Sequence, residues 1–222
     1  MEIDVSLLPQ GMNAALGALA AAVLLLVLYV APWRQLRAVP MRQHLFFLVT
    51  LCLALLWAGS FRPATGITLH LLGMTAATLL LGGALATLAA LLALLFLALL
   101  ERAAFPALPL GWLLSAVVPA FTVSLLLRLP ARFGFSNLFV FLLGIGFAGA
   151  MVSVLAVALC GLLVLAAAGQ EALVAAALRH ATMLPLLLFP EGFLNGAVVS
   201  MLTVYFPHLV RGFDENRFLG DR

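Results

Sequence analysis

Long apolar runs rich in Leu, Ala and Val alternate with short polar segments along the whole chain. The runs lack the period-two alternation of barrel strands, and most reach the roughly 20 residues that a helix needs to cross a bilayer. In lipid, only helices and closed barrels satisfy every backbone polar group. The pattern therefore predicts an all-α polytopic membrane protein with a single transmembrane domain over residues 1–222.

The apolar runs predict about seven transmembrane helices, followed by a short tail at residues 207–222. The run over residues 67–100 is too long for one crossing, so we divide it at Gly82-Gly83 into two helices joined by a tight turn. Pro185 and Pro190 interrupt the last run, which predicts a broken final helix. The predicted helices cover residues 12–31, 44–60, 67–82, 84–100, 110–127, 138–168 and 183–206.

Composition supports this assignment: 66% of residues are hydrophobic, 9% are charged, and the mean hydropathy is +1.25. The eleven basic residues are all arginine and are spread through the loops, so nucleic-acid binding is not expected. Cytoplasmic loops carry an arginine excess, which favours an external N-terminus and a cytoplasmic C-terminus. On this topology the inner side holds Arg34, Arg37, Arg42, Arg128, Arg132, Arg211, Arg217 and Arg222, and the outer side Arg62, Arg102 and Arg179.

The first ten residues are mostly apolar after an acidic start, with Ile3, Leu7 and Leu8 among them. No basic segment or small-residue cleavage site precedes or follows a short apolar stretch, so a signal peptide is not expected. Because water would not favour so apolar a tail, we expect residues 1–10 to insert among the helices.

Small residues at four-residue spacing form stripes on two predicted helices, and such stripes let helices approach closely. Two interpretations remain open: ordinary packing within the chain, or a docking face for a partner membrane subunit. The stripes consist of Ala14, Ala18 and Ala22 on the first helix, and Gly192, Gly196 and Ser200 on the last.

Histidine within an apolar span is costly, and His70 lies near the outer end of the third predicted helix. It fits either a satisfied interhelical hydrogen bond or a metal-ligand position, since neutral imidazole is a common transition-metal ligand. Met74 lies one turn further on the same face and would add a thioether, although methionine usually fills space in such helices. His44, His180 and His208 are expected at the membrane interfaces.

Glu191 follows Pro190 at the predicted start of a re-formed helix, where the helix dipole favours a carboxylate. Asn195 lies one turn further on the same face. An interfacial anchor and a functional group both fit Glu191, and we expect it to face the bundle interior because a carboxylate facing lipid is costly. The sequence has no nucleophile elbow, zinc-protease motif or phosphate-binding loop, so we do not expect an enzyme.

Two stretches of the sequence resemble the CbiM/NikM family. Residues 189–199, Phe-Pro-Glu-Gly-Phe-Leu-Asn-Gly-Ala-Val-Val, with Tyr-Phe-Pro-His-Leu-Val at 205–210, resemble the last helix of that family. Residues 66–73 resemble its Gly-x-x-x-His-Leu-Leu-Gly element. The resemblance implies an S component, the substrate-binding membrane subunit of an energy-coupling factor (ECF) transporter for cobalt or nickel in a bacterial inner membrane. Its implied partners are a transmembrane coupling subunit and two cytoplasmic ATPases.

The resemblance also implies a metal site. In the family, the metal is held by the terminal amine, by the backbone and imidazole of the second residue, and by the histidine of the His-Leu-Leu-Gly element. These positions correspond to Met1, residue 2 and His70, but this sequence has Glu2 where the family has histidine. Nitrogen ligands suit nickel and cobalt better than oxygen, so either Glu2 or Asp4 supplies an oxygen ligand or the substrate has changed. No permanently bound cofactor is implied, and Co²⁺ or Ni²⁺ would be the substrate.

Two other functions remain open at this point. A permease for another small substrate would rely on Glu191 and Asn195 rather than on the N-terminus. An accessory membrane subunit would use only its small-residue faces.

Overall fold

The computed structural model describes residues 2–64, 67–100, 103–129, 137–214 and 218 of the chain. Helices dominate these residues, and short 3-10 turns lie at Val5–Leu7, Ala181–Met183 and Pro207–Leu209. The helices are α1 (Gln10–Val30), α2 (Trp33–Ala38), α3 (Pro40–Ala58), α4 (Met74–Leu81), α5 (Gly83–Leu99), α6 (Phe105–Leu126), α7 (Val140–Ala167), α8 (Glu171–Arg179) and α9 (Pro185–Tyr205).

Five of the described helices, α1, α3, α6, α7 and α9, are long and apolar enough to cross a membrane. Helix α5 is apolar over 17 residues, and α4 has only 8. The protein is therefore an α-helical, multi-pass membrane protein. Six of the seven helices expected from the sequence lie near their predicted positions, with ends that shift by a few residues.

The third predicted helix, residues 67–82, is wrong in its first half. Residues Ile67–Leu69 form strand β3, residues 70–73 have no regular structure, and α4 begins only at Met74. Strand β3 is the centre of a three-stranded antiparallel sheet, between β1 (Glu2–Ile3) and β2 (Phe61–Ala64). A short apolar run does not distinguish a strand from a buried helix, and the β-branched Ile67 and Thr68 favour the strand.

The expectation of a broken last helix is also wrong. Helix α9 runs without interruption from Pro185 to Tyr205, with Pro190 inside it. Proline removes one backbone hydrogen bond to the residue four positions earlier, which here is Leu186 in the first turn. Because this loss falls near the start of the helix, the rest of α9 is intact.

The division between the third and fourth predicted helices agrees with the structure. Gly82, with φ of 82°, ends α4 and begins α5 in a single residue. Residues that carry a side chain rarely adopt this backbone conformation, and a Cβ atom here would lie 2.8 Å from the guanidinium carbon of Arg211. The positive φ therefore requires glycine for the turn, and the missing side chain lets the guanidinium of Arg211 lie against the backbone.

The main core forms around α5, which packs chiefly against α3. Alanines 86, 89, 90 and 93 of α5 are fully buried, and these small side chains let neighbouring helices approach closely. A second, smaller core joins α4, α6, α7 and α9 to the C-terminal segment, where the rings of Phe141, Phe213 and Phe218 lie against one another.

The N-terminal segment packs against the bundle, as expected for the residues that the structure describes. Ile3 pairs with Ile67 in the sheet and is 1% exposed. The side chain of Asn13 donates to the carbonyl of Val5 over 3.1 Å, and that of Gln170 donates to the carbonyl of Leu7 over 2.6 Å. These contacts attach the segment to α1 and to the turn between α7 and α8.

The two small-residue stripes differ in their surroundings. Ala14, Ala18 and Ala22 lie on the exposed side of α1. Gly192 and Gly196 are buried, and Cβ atoms added there would lie 3.0 Å from Met151 and 3.2 Å from Phe147 of α7. The glycines of α9 therefore serve packing within the chain.

Arg42 and Arg211 lie at one end of the bundle and His70 at the other. Partial burial, together with the nearby positive charge of Arg42, lowers the pKa of Arg211. Helix α3 runs from Arg42 to Trp57, whose ring centroid is 5.0 Å from that of His70. Strand β1 pairs with β3, which leads into the His70 loop, so the N-terminal strand lies at the end of the bundle opposite to Arg211.

Candidate functional site

His70 lies in the four-residue loop between β3 and α4 and is 5% exposed, whereas His44, His180 and His208 are exposed. Its Nδ1 is 3.0 Å from the Leu71 carbonyl oxygen, and its Nε2 is 3.3 Å from the Ser115 hydroxyl. A carbonyl only accepts, so these contacts assign the proton to Nδ1 and let the Ser115 hydroxyl donate to Nε2. Nε2 therefore carries the lone pair that a metal ion would use.

Helix α3 supports this loop from one side through Trp57. The indole Nε1 donates to the Leu72 carbonyl over 3.0 Å, and the indole and imidazole rings are inclined at 45°. Trp57 and Leu72 are both buried. A buried indole needs an acceptor for its N–H, and here the acceptor belongs to the loop that carries His70.

Helix α9 supports the loop from the other side through Glu191 and Asn195, each 1% exposed. The carboxylate of Glu191 accepts from the backbone N–H of Leu72 over 2.6 Å and from that of Gly73 over 2.8 Å. The Asn195 side chain donates to the same carboxylate over 2.7 Å and accepts from the N–H of Ala76 over 2.9 Å. All three of these groups donate to the Glu191 carboxylate, which matches its capacity as an acceptor.

These contacts satisfy the start of α4. The first amides of a helix have no partner within the helix, and the N-cap residue, Gly73, has no side chain to supply one. Glu191 and Asn195, more than a hundred residues away in the sequence, accept from the N–H groups of Gly73 and Ala76, which are two of these amides. Gly73 has φ of 66°, and a Cβ atom there would lie 2.8 Å from Leu56.

Ser115 reaches His70 from a widened turn of α6. Residues Leu113–Val117 form a π-helical segment that ends two residues before Pro119. Proline cannot donate to the carbonyl four residues earlier, which is that of Ser115, and its ring crowds that carbonyl. The wider turn relieves this conflict, and such turns are frequent at functional sites.

The structure separates the candidate ligands and pocket residues that the sequence indicated. His70, Glu191 and Asn195 meet around one loop. Met74 is fully buried in the main core, and Asp4 is exposed, with its side chain accepting from the N–H of Ser6 over 2.8 Å. Met1 and the side chain of Glu2 lie outside the described part of the chain.

Within the described ranges, no group of three or more His, Cys, Asp or Glu side chains converges. Strand pairing nevertheless places the backbone of residue 2 opposite Thr68, two residues before His70. The described structure thus brings the start of the chain to the histidine loop.

Sequence reasoning missed two side chains of this region, Trp57 and Ser115. A tryptophan near a helix end is usually an interfacial anchor, and a serine in an apolar helix usually bonds to its own backbone. Pro119, four residues after Ser115, was the one local signal of an altered turn.

The helices and the buried loop define an integral membrane protein whose polar groups converge at one end of the bundle. A family model described as the cobalt uptake substrate-specific transmembrane region, CbiM, matches residues 6–209. The chain belongs to the CbiM family and is a membrane component of transition-metal uptake, not an enzyme.

Solved structures support the same fold. A truncated transition metal transporter has a TM-score of 0.73 and 19% identity, over 92% of this chain and 99% of its own. A further transition metal transporter structure has a TM-score of 0.72 and 19% identity, over 92% of this chain and 93% of its own. No curated protein matches the sequence.

Proposed function

We propose that this chain is the S component of an ECF-type importer and that its substrate is Co²⁺ or Ni²⁺. Family membership supports metal uptake. One structural observation supports binding by this chain itself: β1 pairs with β3, so the start of the chain lies beside the loop of the buried His70. A lone buried histidine needs further ligands to hold a metal, and this pairing brings the backbone of residues 2 and 3 to the strand that leads into the His70 loop.

The proposed ligands are His70 through Nε2, the amine of Met1, and an oxygen from Glu2 or Asp4. Nitrogen ligands suit both metals, whereas a carboxylate in place of the family's imidazole makes the site harder. Asp4 would have to release the N–H of Ser6, which it now accepts over 2.8 Å. Met74 is less suited, because its side chain is fully buried in the main core.

The proposed assembly follows the family. The chain would form one transmembrane domain that crosses a bacterial inner membrane seven times, with the N-terminus outside and the tail after residue 206 in the cytoplasm. A coupling subunit would dock on the exposed stripe of Ala14, Ala18 and Ala22, and two cytoplasmic ATPases would supply the energy.

A permease that binds another substrate through Glu191 and Asn195 is less well supported. Both side chains are buried, and their polar atoms already bind the loop and each other. A substrate would have to displace backbone amides of Leu72, Gly73 and Ala76. The contacts therefore favour a structural role for these two residues over direct substrate binding.

Calorimetric titration of the purified protein with Ni²⁺, Co²⁺ and Zn²⁺ tests the proposal. We expect His70→Ala to weaken binding by at least roughly 10- to 100-fold, since even changes to groups that orient a ligand have effects of this size. His180→Ala is the matched control, because His180 is exposed and its Nδ1 contacts the Ala176 carbonyl of the preceding helix, α8. Equal titration curves for wild type and His70→Ala, or no binding by wild type, would contradict the proposal.

A further inference from the structure

We propose that Glu191 and Asn195 are positioning residues of the metal site: they fix loop 70–73, and through it the orientation of His70, without touching the metal. This inference rests on the proposed function. It assigns to the last helix a part in metal affinity that is separate from ligation.

The loop has little freedom to compensate if these contacts are lost. Of its four residues, Leu72 and Gly73 donate their amides to Glu191, and His70 Nδ1 contacts the carbonyl of Leu71, the residue adjoining Leu72. The Leu71 carbonyl and the Leu72 N–H belong to the same peptide unit, so a displacement of this unit reaches the imidazole directly. The hydrogen bond that fixes the tautomer and ring orientation of His70 lies on this same path.

Helix α9 is itself a fixed platform. Gly192 and Gly196 lie against Phe147 and Met151 of α7, at distances that leave no room for larger side chains. Glu191 and Asn195 belong to the same buried face of α9 as these glycines. Packing between α7 and α9 therefore fixes the position of the Glu191 carboxylate in the bundle, and the carboxylate in turn fixes the position of the loop.

Buried polar groups that are fully hydrogen-bonded favour a single conformation, whereas a buried polar group without a hydrogen-bond partner costs free energy. In Glu191→Gln, one carboxylate oxygen becomes an NH₂ group, which would face a backbone N–H donor. In Asn195→Ala, the N–H of Ala76 loses its acceptor and Glu191 loses one donor. Both substitutions loosen the loop while leaving the proposed ligands in place.

The experiment compares wild type, Glu191→Gln, Asn195→Ala and Thr203→Val. Thr203 is the matched control, because it is buried on the same face of α9 and its hydroxyl donates to the Val199 carbonyl within the helix, away from the loop. Calorimetry with Ni²⁺ gives the Kd and the stoichiometry. Hydrogen exchange on the metal-free proteins gives the protection of peptides that cover residues 70–76.

We expect Glu191→Gln and Asn195→Ala to exchange faster in the loop and to bind Ni²⁺ with a Kd roughly 10- to 100-fold weaker at unchanged stoichiometry. Thr203→Val should lower the thermal midpoint but keep the wild-type Kd and loop exchange. A purely structural role would reduce the folded fraction, and so the stoichiometry, at constant Kd.

Two results would overturn the inference while wild type binds metal: unchanged loop exchange in both variants, or faster exchange with an unchanged Kd. If Glu191→Gln does not fold, Asn195→Ala decides by the same criteria. A wild-type protein that binds neither Ni²⁺ nor Co²⁺ would instead overturn the proposed function, and this inference with it.

Discussion

His70 owes its buried position to contacts made by three different helices. Trp57 of α3 and Glu191 of α9 bind the loop backbone, and Ser115 of α6 contacts the imidazole. Each partner is buried, so each hydrogen bond is made away from competing water. At the scale of single residues, the site is therefore a backbone conformation held by side chains.

Gly73 is the residue of the loop that tolerates substitution least. Its φ of 66° costs a side chain about 1–2 kcal/mol, and a Cβ atom would also lie 2.8 Å from Leu56. We expect Gly73→Ala to lower the thermal midpoint of the purified protein clearly. Gly17→Ala is the control, because no atom lies within 4 Å of its Cβ position. Equal midpoints for the two variants would contradict the prediction.

Sequence reasoning found the polar residues of the site but not the way they meet. His70, Glu191 and Asn195 were evident because polar groups are rare in apolar runs. Their mutual contacts were not, since Glu191 binds amides that are 118 and 119 residues away, and backbone donors leave no trace in residue identity. Contacts between residues so far apart in the sequence cannot be predicted from a local sequence pattern.

At the scale of elements, α4 is too short to be stable alone. Its 8 residues span about 12 Å, and isolated helices of this length do not form in water. Gly82 ends it in a tight turn, and Glu191 and Asn195 of α9 accept from Gly73 and Ala76 at its start. The sequence predicted the glycine turn but extended the helix over β3, because a strand that pairs with a distant segment looks like any other apolar run.

The contact between α7 and α9 predicts the effect of larger side chains at Gly192. A Cβ atom there would lie 3.0 Å from Met151 and 3.1 Å from the Phe147 carbonyl oxygen. We expect Gly192→Val to destabilise the protein by about 1–3 kcal/mol through overpacking, measured as a lower thermal midpoint.

Gly144→Val is the matched control for this change. Gly144 also lies in a helical segment, is exposed, and has no atom closer than 3.9 Å to its Cβ position. A destabilisation of the same size in both variants would point to helix propensity instead of packing.

At the scale of the whole molecule, both ends of the chain fold back onto the bundle, at opposite ends of it. The N-terminal strand joins β3 before α4, and the N–H of Arg211 donates to the carbonyl of Leu79 within α4 over 2.7 Å. Composition alone predicted the class of protein. These terminal contacts depend on tertiary pairing, so only the apolar character of the first residues indicated one of them.

The arrangement of the ends predicts which residues share a side of the membrane. With Cys52 and Cys160 replaced by serine, single cysteines at Arg37, Asp214 and Ser6 report accessibility to an impermeant maleimide. We expect positions 37 and 214 to react only from the cytoplasmic side and position 6 only from outside, in line with the arginine distribution. Reaction of positions 6 and 214 from the same side would contradict the seven-helix topology.

The position of Trp57 gives the protein an optical signal of its own. Its indole lies 5.0 Å from the imidazole of His70 and is bonded to the loop backbone, whereas Trp33 lies outside the loop on α2 and Trp112 bonds to Thr87. Emission from Trp57 is therefore expected to respond to the conformation of the loop, and a paramagnetic ion bound at His70 as proposed would quench it at close range. The intrinsic fluorescence of the purified protein would thus report occupancy of the proposed site without any added label.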